Sequence, residues 1–262
     1  MKSNLQSNLD IKKAIEKAKL GDIKAQYIVG SMYHSGIQVK KNIKESIKWY
    51  MMSADQGFGP SLNALGVIYQ TGGVVKCDYV KAFEFYKKSS DAGYSESYHN
   101  IGFLYETGKG VDKNYELAVK FYTMASDIGI AISQNNLGLM YQNGVGVTQD
   151  YKKALELFEL SANQNFPQAQ NNLALLYKKG YGVVRDYNKA FELYKAAAKQ
   201  GVSESQNNLG ILYDKGLGCA VDKNNAAKWY KLAVDQGNID AYFNIFLKKY
   251  FFIDYSFQIF VY

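Results

Sequence analysis

The feature that most constrains this chain is a position that returns every 36 residues. It lies in the pattern apolar-Gly-x-x-Tyr and is filled by Gly30, Gly66, Gly102, Gly138, Ala174 and Gly210, with no insertion or deletion between copies. Other columns keep the same step. A small residue precedes the motif at Ala25, Ser61, Ser97, Ser133, Ala169, Ser205 and Ala241. A glycine follows it at Gly36, Gly72, Gly108, Gly144, Gly180 and Gly216. An aromatic recurs at Tyr50, Tyr86, Tyr122, Phe158, Tyr194 and Tyr230, and a closing column reads Gly57, Gly93, Gly129, Asn165, Gly201 and Gly237. A chain written this way is an array of one supersecondary unit, each copy burying its apolar face against the next.

Each unit carries two helical patterns. In the fourth, Ser133, Leu137, Met140 and Tyr141 follow the i, i+4, i+7, i+8 spacing of a first helix over about 133–143. Asp150 then offers an N-cap, and Ala154, Phe158, Ser161 and Ala162 repeat the spacing in a second helix. The closing column predicts a left-handed residue, which glycine adopts without steric cost and asparagine adopts next most readily; Asn165 fits that reading. The motif glycine is different, because inside a helix it costs about 1 kcal/mol relative to alanine. Its return in each unit predicts that the aromatic of the second helix packs on it, with Ala174 the largest residue tolerated.

The layout is a capping helix over residues 1–21, six repeats at 22–57, 58–93, 94–129, 130–165, 166–201 and 202–237, and a partial seventh repeat with an apolar tail over 238–262. In that last segment Phe246 takes the glycine column and Lys249 the tyrosine column, and Tyr250–Tyr262 is mostly aromatic and aliphatic, as a folded-back cap or a degenerate remnant would be.

The remaining residues argue against chemistry. The net charge of +7 is almost all lysine, Arg185 is the only arginine, and the lysines are spread over every repeat. Nucleic-acid faces concentrate charge and use arginine, so no nucleic-acid partner is expected. Cys77 and Cys219 fall in different repeats, which suits a reducing compartment rather than a disulfide framework. The opening residues have no apolar signal region and no stretch approaches the ~20 apolar residues of a membrane span, so a cytoplasmic monomer without membrane contact is expected. His34 and His99 occupy different repeat positions and make no metal pair. The Gly-x-Gly triplets follow helices and lack the strand and the Lys-Ser/Thr ending of a phosphate loop. No catalytic residue, cofactor or metal is expected, and the chain reads as a non-enzyme.

The order A-x-x-x-L-G-x-x-Y-x-x-G-x-G-V, D-Y-x-K-A-x-x-x-Y, A-x-x-G, clearest over Ala169–Ala198, resembles the Sel-one-like repeat, a relative of the tetratricopeptide repeat. The resemblance covers residues 22–237. It implies an all-α fold, a right-handed α/α superhelical solenoid of tandem helix-turn-helix repeats, acting as an adaptor in protein complexes and signalling. Gln38 and Val74 replace the second glycine of the Gly-x-Gly loop, so the first two loops are expected to differ in shape. A cysteine-rich branch of that family is linked to β-lactam binding. The cysteine pairs of that branch are missing here, and its activity is the enzymatic alternative. A helical-repeat RNA binder of the pentatricopeptide kind has a similar period but lacks this glycine loop and L-G-x-x-Y core.

Surface residues are then left to carry function. One stripe of the first helices includes His99, Asn135, Asn171 and Asn207, and one turn later come Phe103, Leu139, Leu175 and Ile211. In solenoids of the resembled kind the first helices line the concave face. Asparagine can donate to and accept from a peptide backbone at once, and the apolar row can receive side chains. These eight residues are therefore the candidate surface for a peptide or partner protein. The same asparagines could instead bond from repeat to repeat, as buried amides must find partners somewhere.

Overall fold

The computed structural model describes the backbone of residues 2–245 and the side chains of residues 11–245. The readings made for Phe246, Lys249 and Tyr250–Tyr262 lie outside the described residues. All regular structure among the described residues is helical. A first helix, α1 (Lys2–Lys19), precedes six pairs: α2 (Ile23–Ser35) with α3 (Ile43–Ala54), α4 (Gly59–Thr71) with α5 (Tyr79–Asp91), α6 (Ser97–Thr107) with α7 (Tyr115–Asp127), α8 (Ala131–Asn143) with α9 (Tyr151–Ala162), α10 (Pro167–Lys179) with α11 (Tyr187–Lys199), and α12 (Ser203–Lys215) with α13 (Lys223–Asp235). Residues 239–245 begin a further helix, with Asn238 capping it through Ala241 N–H. The helices gather into two compact units, Met1–Ile130 and Ala131–Tyr262.

Local chemistry sets both ends of the helices. Asn42, Asp78, Asn114, Asp150, Asp186 and Asp222 precede the second helices with extended backbone, and each side chain accepts a hydrogen bond from a first-turn N–H. The closing column ends each second helix in the left-handed region, and Asn165 does so at φ 60° as a non-glycine. Gly36, Gly108, Gly180 and Gly216 end first helices in the same conformation. The second repeat departs from this: Gly72 has ψ −150° and Gly73 takes a positive φ beside Val74. The first repeat keeps the common loop by holding Gln38 at φ 65°.

Five of the six pairs close on one contact, the second-helix aromatic against the first-helix glycine, and the fifth pair has Ala174 in that place. A Cβ on Gly30 would lie 2.6 Å from the Tyr50 ring, on Gly66 2.5 Å from Tyr86, on Gly138 2.6 Å from Phe158, and on Gly210 2.7 Å from Tyr230. The rings of Tyr86, Tyr122, Phe158 and Tyr194 are fully buried, each beside a small residue such as Ala82, Ala118, Ala154 or Ala190. The second glycine of the Gly-x-Gly loop has another role. A Cβ on Gly110 would sit 2.3 Å from the Tyr79 backbone, on Gly182 2.7 Å from Tyr151, and on Gly218 2.1 Å from the Tyr187 carbonyl oxygen. These glycines let one repeat's loop press on the start of the previous repeat's second helix.

Two glycines with the same sign of φ should therefore respond differently to alanine. Gly237 has open space around its Cα, so Gly237→Ala carries only the left-handed strain of about 1 kcal/mol. Gly218→Ala adds overlap with backbone that cannot rotate away, and should cost at least about twice as much. Urea unfolding of both variants checks the order.

Candidate functional site

The candidate stripe runs along first helices whose neighbours are held by amide side chains. In the first unit Asn100 Nδ2 donates to Asn63 Oδ1 at 3.0 Å. In the second, Asn172 donates to Asn135 and Asn244 to Asn207, both at 2.9 Å. Each rung joins residues 37 apart, from one repeat's first helix to the next. Asn135 and Asn207 are 4% and 7% exposed, with their carbonyl oxygens already accepting, while Asn171 is partly buried and accepts from Ser205 Oγ at 2.7 Å. The asparagines thus form a ladder within each unit. The apolar members lie differently. Leu139, Leu175 and Ile211 in the second unit, and Phe103 in the first, are all partly exposed one turn further along. His99 sits in the asparagine column and is partly buried, its ring 5.6 Å from that of Tyr122.

The next turn of the stripe meets the buried aromatics. Tyr86 donates its hydroxyl to Gln70 Oε1 at 2.8 Å, and Tyr122 donates to Glu106 Oε2 at 2.5 Å. The acceptor stands 16 residues before the tyrosine. In the fourth repeat the ring is Phe158, and Gln142 Oε1 is buried with no hydrogen-bond partner among the described residues. In the fifth, Lys178 occupies the acceptor position, and the buried Tyr194 hydroxyl has no partner among the described residues.

A second set of amides, outside the candidate stripe, also bridges helices. Gln56 donates to Gln26, Gln164 to Gln134, Gln200 to Gln170 and Gln236 to Gln206, all at 2.8–2.9 Å and 30 residues apart. Gln26 and Gln206 also donate to the carbonyls of Ala18 and Ala198 at the end of the preceding helix. Where the first position is Leu62 or Tyr98, the second is Ala92 or Ile128. The two columns change together, and that joint change was the signal available in the sequence.

Six consecutive segments match the Sel1 repeat family, residues 23–58, 59–94, 95–130, 131–166, 167–202 and 203–238. The chain belongs to the Sel1 repeat family. Two solved structures share its fold. A protective antigen of uropathogenic Escherichia coli displaying an SLR fold is 30% identical with a TM-score of 0.82, covering 89% of this chain and 50% of its own. A Sel1 repeat protein from Oxalobacter formigenes is 31% identical with a TM-score of 0.76, covering 83% of this chain and 89% of its own. A sel1-like repeat-containing protein of Acanthamoeba polyphaga mimivirus is 59% identical over 39 residues, 15% of this chain. The chain spans about half the length of the E. coli antigen and 7% of the mimivirus protein. Sel1 repeat proteins are in general non-catalytic scaffolds for protein interaction, built as all-α solenoids.

The chemistry of the described Sel1 repeats is that of packing and hydrogen bonding. Shallow grooves on the loop edge recur 108 residues apart, one lined by Tyr69, Asp78, Lys81 and Gly110, the other by Tyr177, Asp186, Lys189 and Gly218. Their aspartates are the helix caps, and their lysines lie over the tyrosine rings at 5.5 and 4.9 Å. No group of three or more His, Cys, Asp or Glu among the described residues could hold a metal ion. No described helix is long and apolar enough to cross a membrane.

Two predictions follow from the polar columns. Phe158→Tyr places a hydroxyl opposite Gln142 Oε1, as Tyr86 stands to Gln70, and should raise unfolding stability by about 1 kcal/mol in urea titrations. His99 is pushed down from its ordinary 6.5 to about 4 by burial. Between those values the unfolded chain binds the proton and the folded chain does not, so His99's stabilising contribution is complete above pH 6.5 and declines as pH falls toward 4. His99→Asn, which restores the residue found at positions 63, 135, 171 and 207, should flatten that part of the profile. Denaturant midpoints at pH 7 and 5 measure the difference.

Proposed function

We propose that this chain is a non-enzymatic scaffold that binds a peptide or partner protein along the concave, first-helix face of its repeats. One observation carries the reading. The asparagine ladder is committed to neighbouring repeats, while the apolar row beside it remains partly exposed and in line. In the second unit that row is Leu139, Leu175 and Ile211 at one-repeat spacing. Helix spacing of about 8–10 Å between packed helices lets successive repeats each meet a side chain of a peptide crossing the array. Asn135, Asn171 and Asn207 then act by fixing the register of the row; Asn135 Nδ2 also donates to the adjacent Asn136 Oδ1 at 3.3 Å, and Asn171 Nδ2 to the adjacent Asn172 Oδ1 at 3.4 Å. In the first unit, taken by itself, Phe103 and His99 occupy the corresponding positions of their own first helix.

The test uses the purified chain against displayed random ten-residue peptides. Leu175→Asp combined with Ile211→Asp should abolish enrichment, with helical circular dichroism unchanged because both side chains are already partly in water. Leu160→Asp combined with Leu232→Asp, on second helices where these leucines are 51% and 45% exposed, should leave it intact. The reverse pattern would move the site to the second-helix face. Changing Asn135, Asn171 and Asn207 together to alanine should chiefly lower stability, by about 1–3 kcal/mol for each buried amide left without its partner.

A further inference from the structure

The groove of the second unit offers a ligand side-chain contacts rather than hydrogen-bond acceptors. The oxygens of its two asparagine columns are already in use. Asn135 accepts from Asn172 at 2.9 Å, Asn171 from Ser205 at 2.7 Å and Asn207 from Asn244 at 2.9 Å. In the adjacent column Asn136 accepts from Asn135 at 3.3 Å, Asn172 from Asn171 at 3.4 Å and Asn208 from Lys178 at 2.8 Å. The main-chain carbonyls at Leu139, Leu175 and Ile211 lie inside α8, α10 and α12 and accept there. A ligand held by its own N–H groups, as an added strand is, finds no acceptor waiting on this face.

The apolar part of the face is a single line. Leu139 has Asn135 one turn before it and Gln142 one turn after; Leu175 lies between Asn171 and Lys178, and Ile211 between Asn207 and Asp214. The side-chain bonds Asn172–Asn135 and Ser205–Asn171 join α8 to α10 and α10 to α12. Successive members of the row therefore stand at the spacing of packed helices, about 8–10 Å. A strand returns a side chain to one face at about 6.6 Å and next at about 13 Å, and so misses that spacing on both sides. An α-helix comes near it at about 10.5 Å, over seven residues. Its apolar stripe is at least about 100° wide, however, and would lie partly on the polar columns. A polyproline II helix has three residues per turn and a rise of about 3.1 Å, so one face repeats every about 9.3 Å. It makes no internal hydrogen bonds, its backbone stays in water, and it presents one narrow line of side chains.

We propose that the groove takes a partner segment in the polyproline II conformation with an aliphatic side chain at every third position, one each on Leu139, Leu175 and Ile211. The inference rests on the groove reading above and names the conformation and sequence pattern of the partner. The three contacts span about seven residues and about 19 Å of such a segment. Proline is accepted at the positions between contacts, because the face uses no N–H of the ligand and proline's fixed φ suits this conformation. It also lowers the ordering cost of binding, since fewer conformations of the free peptide are lost.

The ten-residue library provides the test. Enriched peptides should align with Leu, Ile or Val three residues apart and with proline at positions between them. The best of them is made as a fluorescein-labelled, end-capped probe and titrated by fluorescence anisotropy. Replacing an intervening residue by proline should tighten binding about two- to fivefold. In a helical ligand the same change would weaken it by more than about a hundredfold. Moving the middle aliphatic residue by one position keeps the composition and breaks the spacing, and should weaken binding about tenfold. Leu175→Ala should weaken the original probe to a similar extent and change the shifted probe little, because that contact is already lost there. Leu232→Ala, at a residue 45% exposed on α13, should bind both probes as the native chain does. Aliphatic residues enriched at any other spacing, or binding weakened by proline, overturn the polyproline II segment; the groove still stands if Leu175→Asp with Ile211→Asp abolishes binding. Enrichment indifferent to that double variant, or no enrichment at all, overturns the groove and the segment together.

Discussion

The packing of one aromatic ring on one glycine holds each repeat together. A helix-interior glycine is unfavourable by itself, yet it lets the second helix bring Tyr50, Tyr86, Tyr122, Phe158 or Tyr230 into the space a side chain would fill. The pair fixes how closely and in which register the two helices meet. Ala174 beside Tyr194 shows that one methyl group can be absorbed, and no larger residue stands at this position in the six full repeats. The Gly-x-Gly loops then set the distance between repeats, since Gly110, Gly182 and Gly218 each lie against the backbone of the previous repeat. With both distances fixed by small residues, the repeat length cannot drift, and variation is confined to side chains on the faces.

Those features were legible in the sequence because they are local or strictly periodic. Asp150 as a cap, Asn165 as a left-handed residue and the aromatic against the glycine each depend on conformational preference or on a constant offset within one repeat. The loop of the second repeat was read as different, and it is; that of the first keeps its shape by straining Gln38. The asparagine column was ambiguous for a physical reason. A peptide-binding amide and a repeat-bridging amide need the same residue type, and the acceptor of Asn172 lies on a different helix, 37 residues away. The glutamine pairs join two columns 30 residues apart, and only their joint change, Leu62 with Ala92 and Tyr98 with Ile128, marks them in the sequence. The Lys178 departure becomes visible only once the tyrosine hydroxyl is known to reach back 16 residues.

This division between fixed and free columns shapes the functional reading. The glycine, aromatic, asparagine and glutamine columns hold the backbone and are largely satisfied internally. The first helices also carry a partly exposed aliphatic row and a polar column that differs from repeat to repeat, His34, Gln70, Glu106, Gln142, Lys178 and Asp214, in which Gln70 and Glu106 hold a tyrosine hydroxyl. A scaffold with constant loops can acquire specificity only through such side chains. Lys178 shows how one substitution in such a column redirects a hydrogen bond, since it donates to Asn208 where Gln70 and Glu106 accept from a tyrosine.

The central claim, that the first-helix face of the second unit is the binding surface, is tested most directly by photo-crosslinking. A benzophenone amino acid replaces Ile211 in one preparation and Leu232 in another, and each is irradiated with the library-selected peptide. The account predicts an adduct at position 211 and none above background at position 232. An adduct formed equally at both positions, or only at 232, would contradict it.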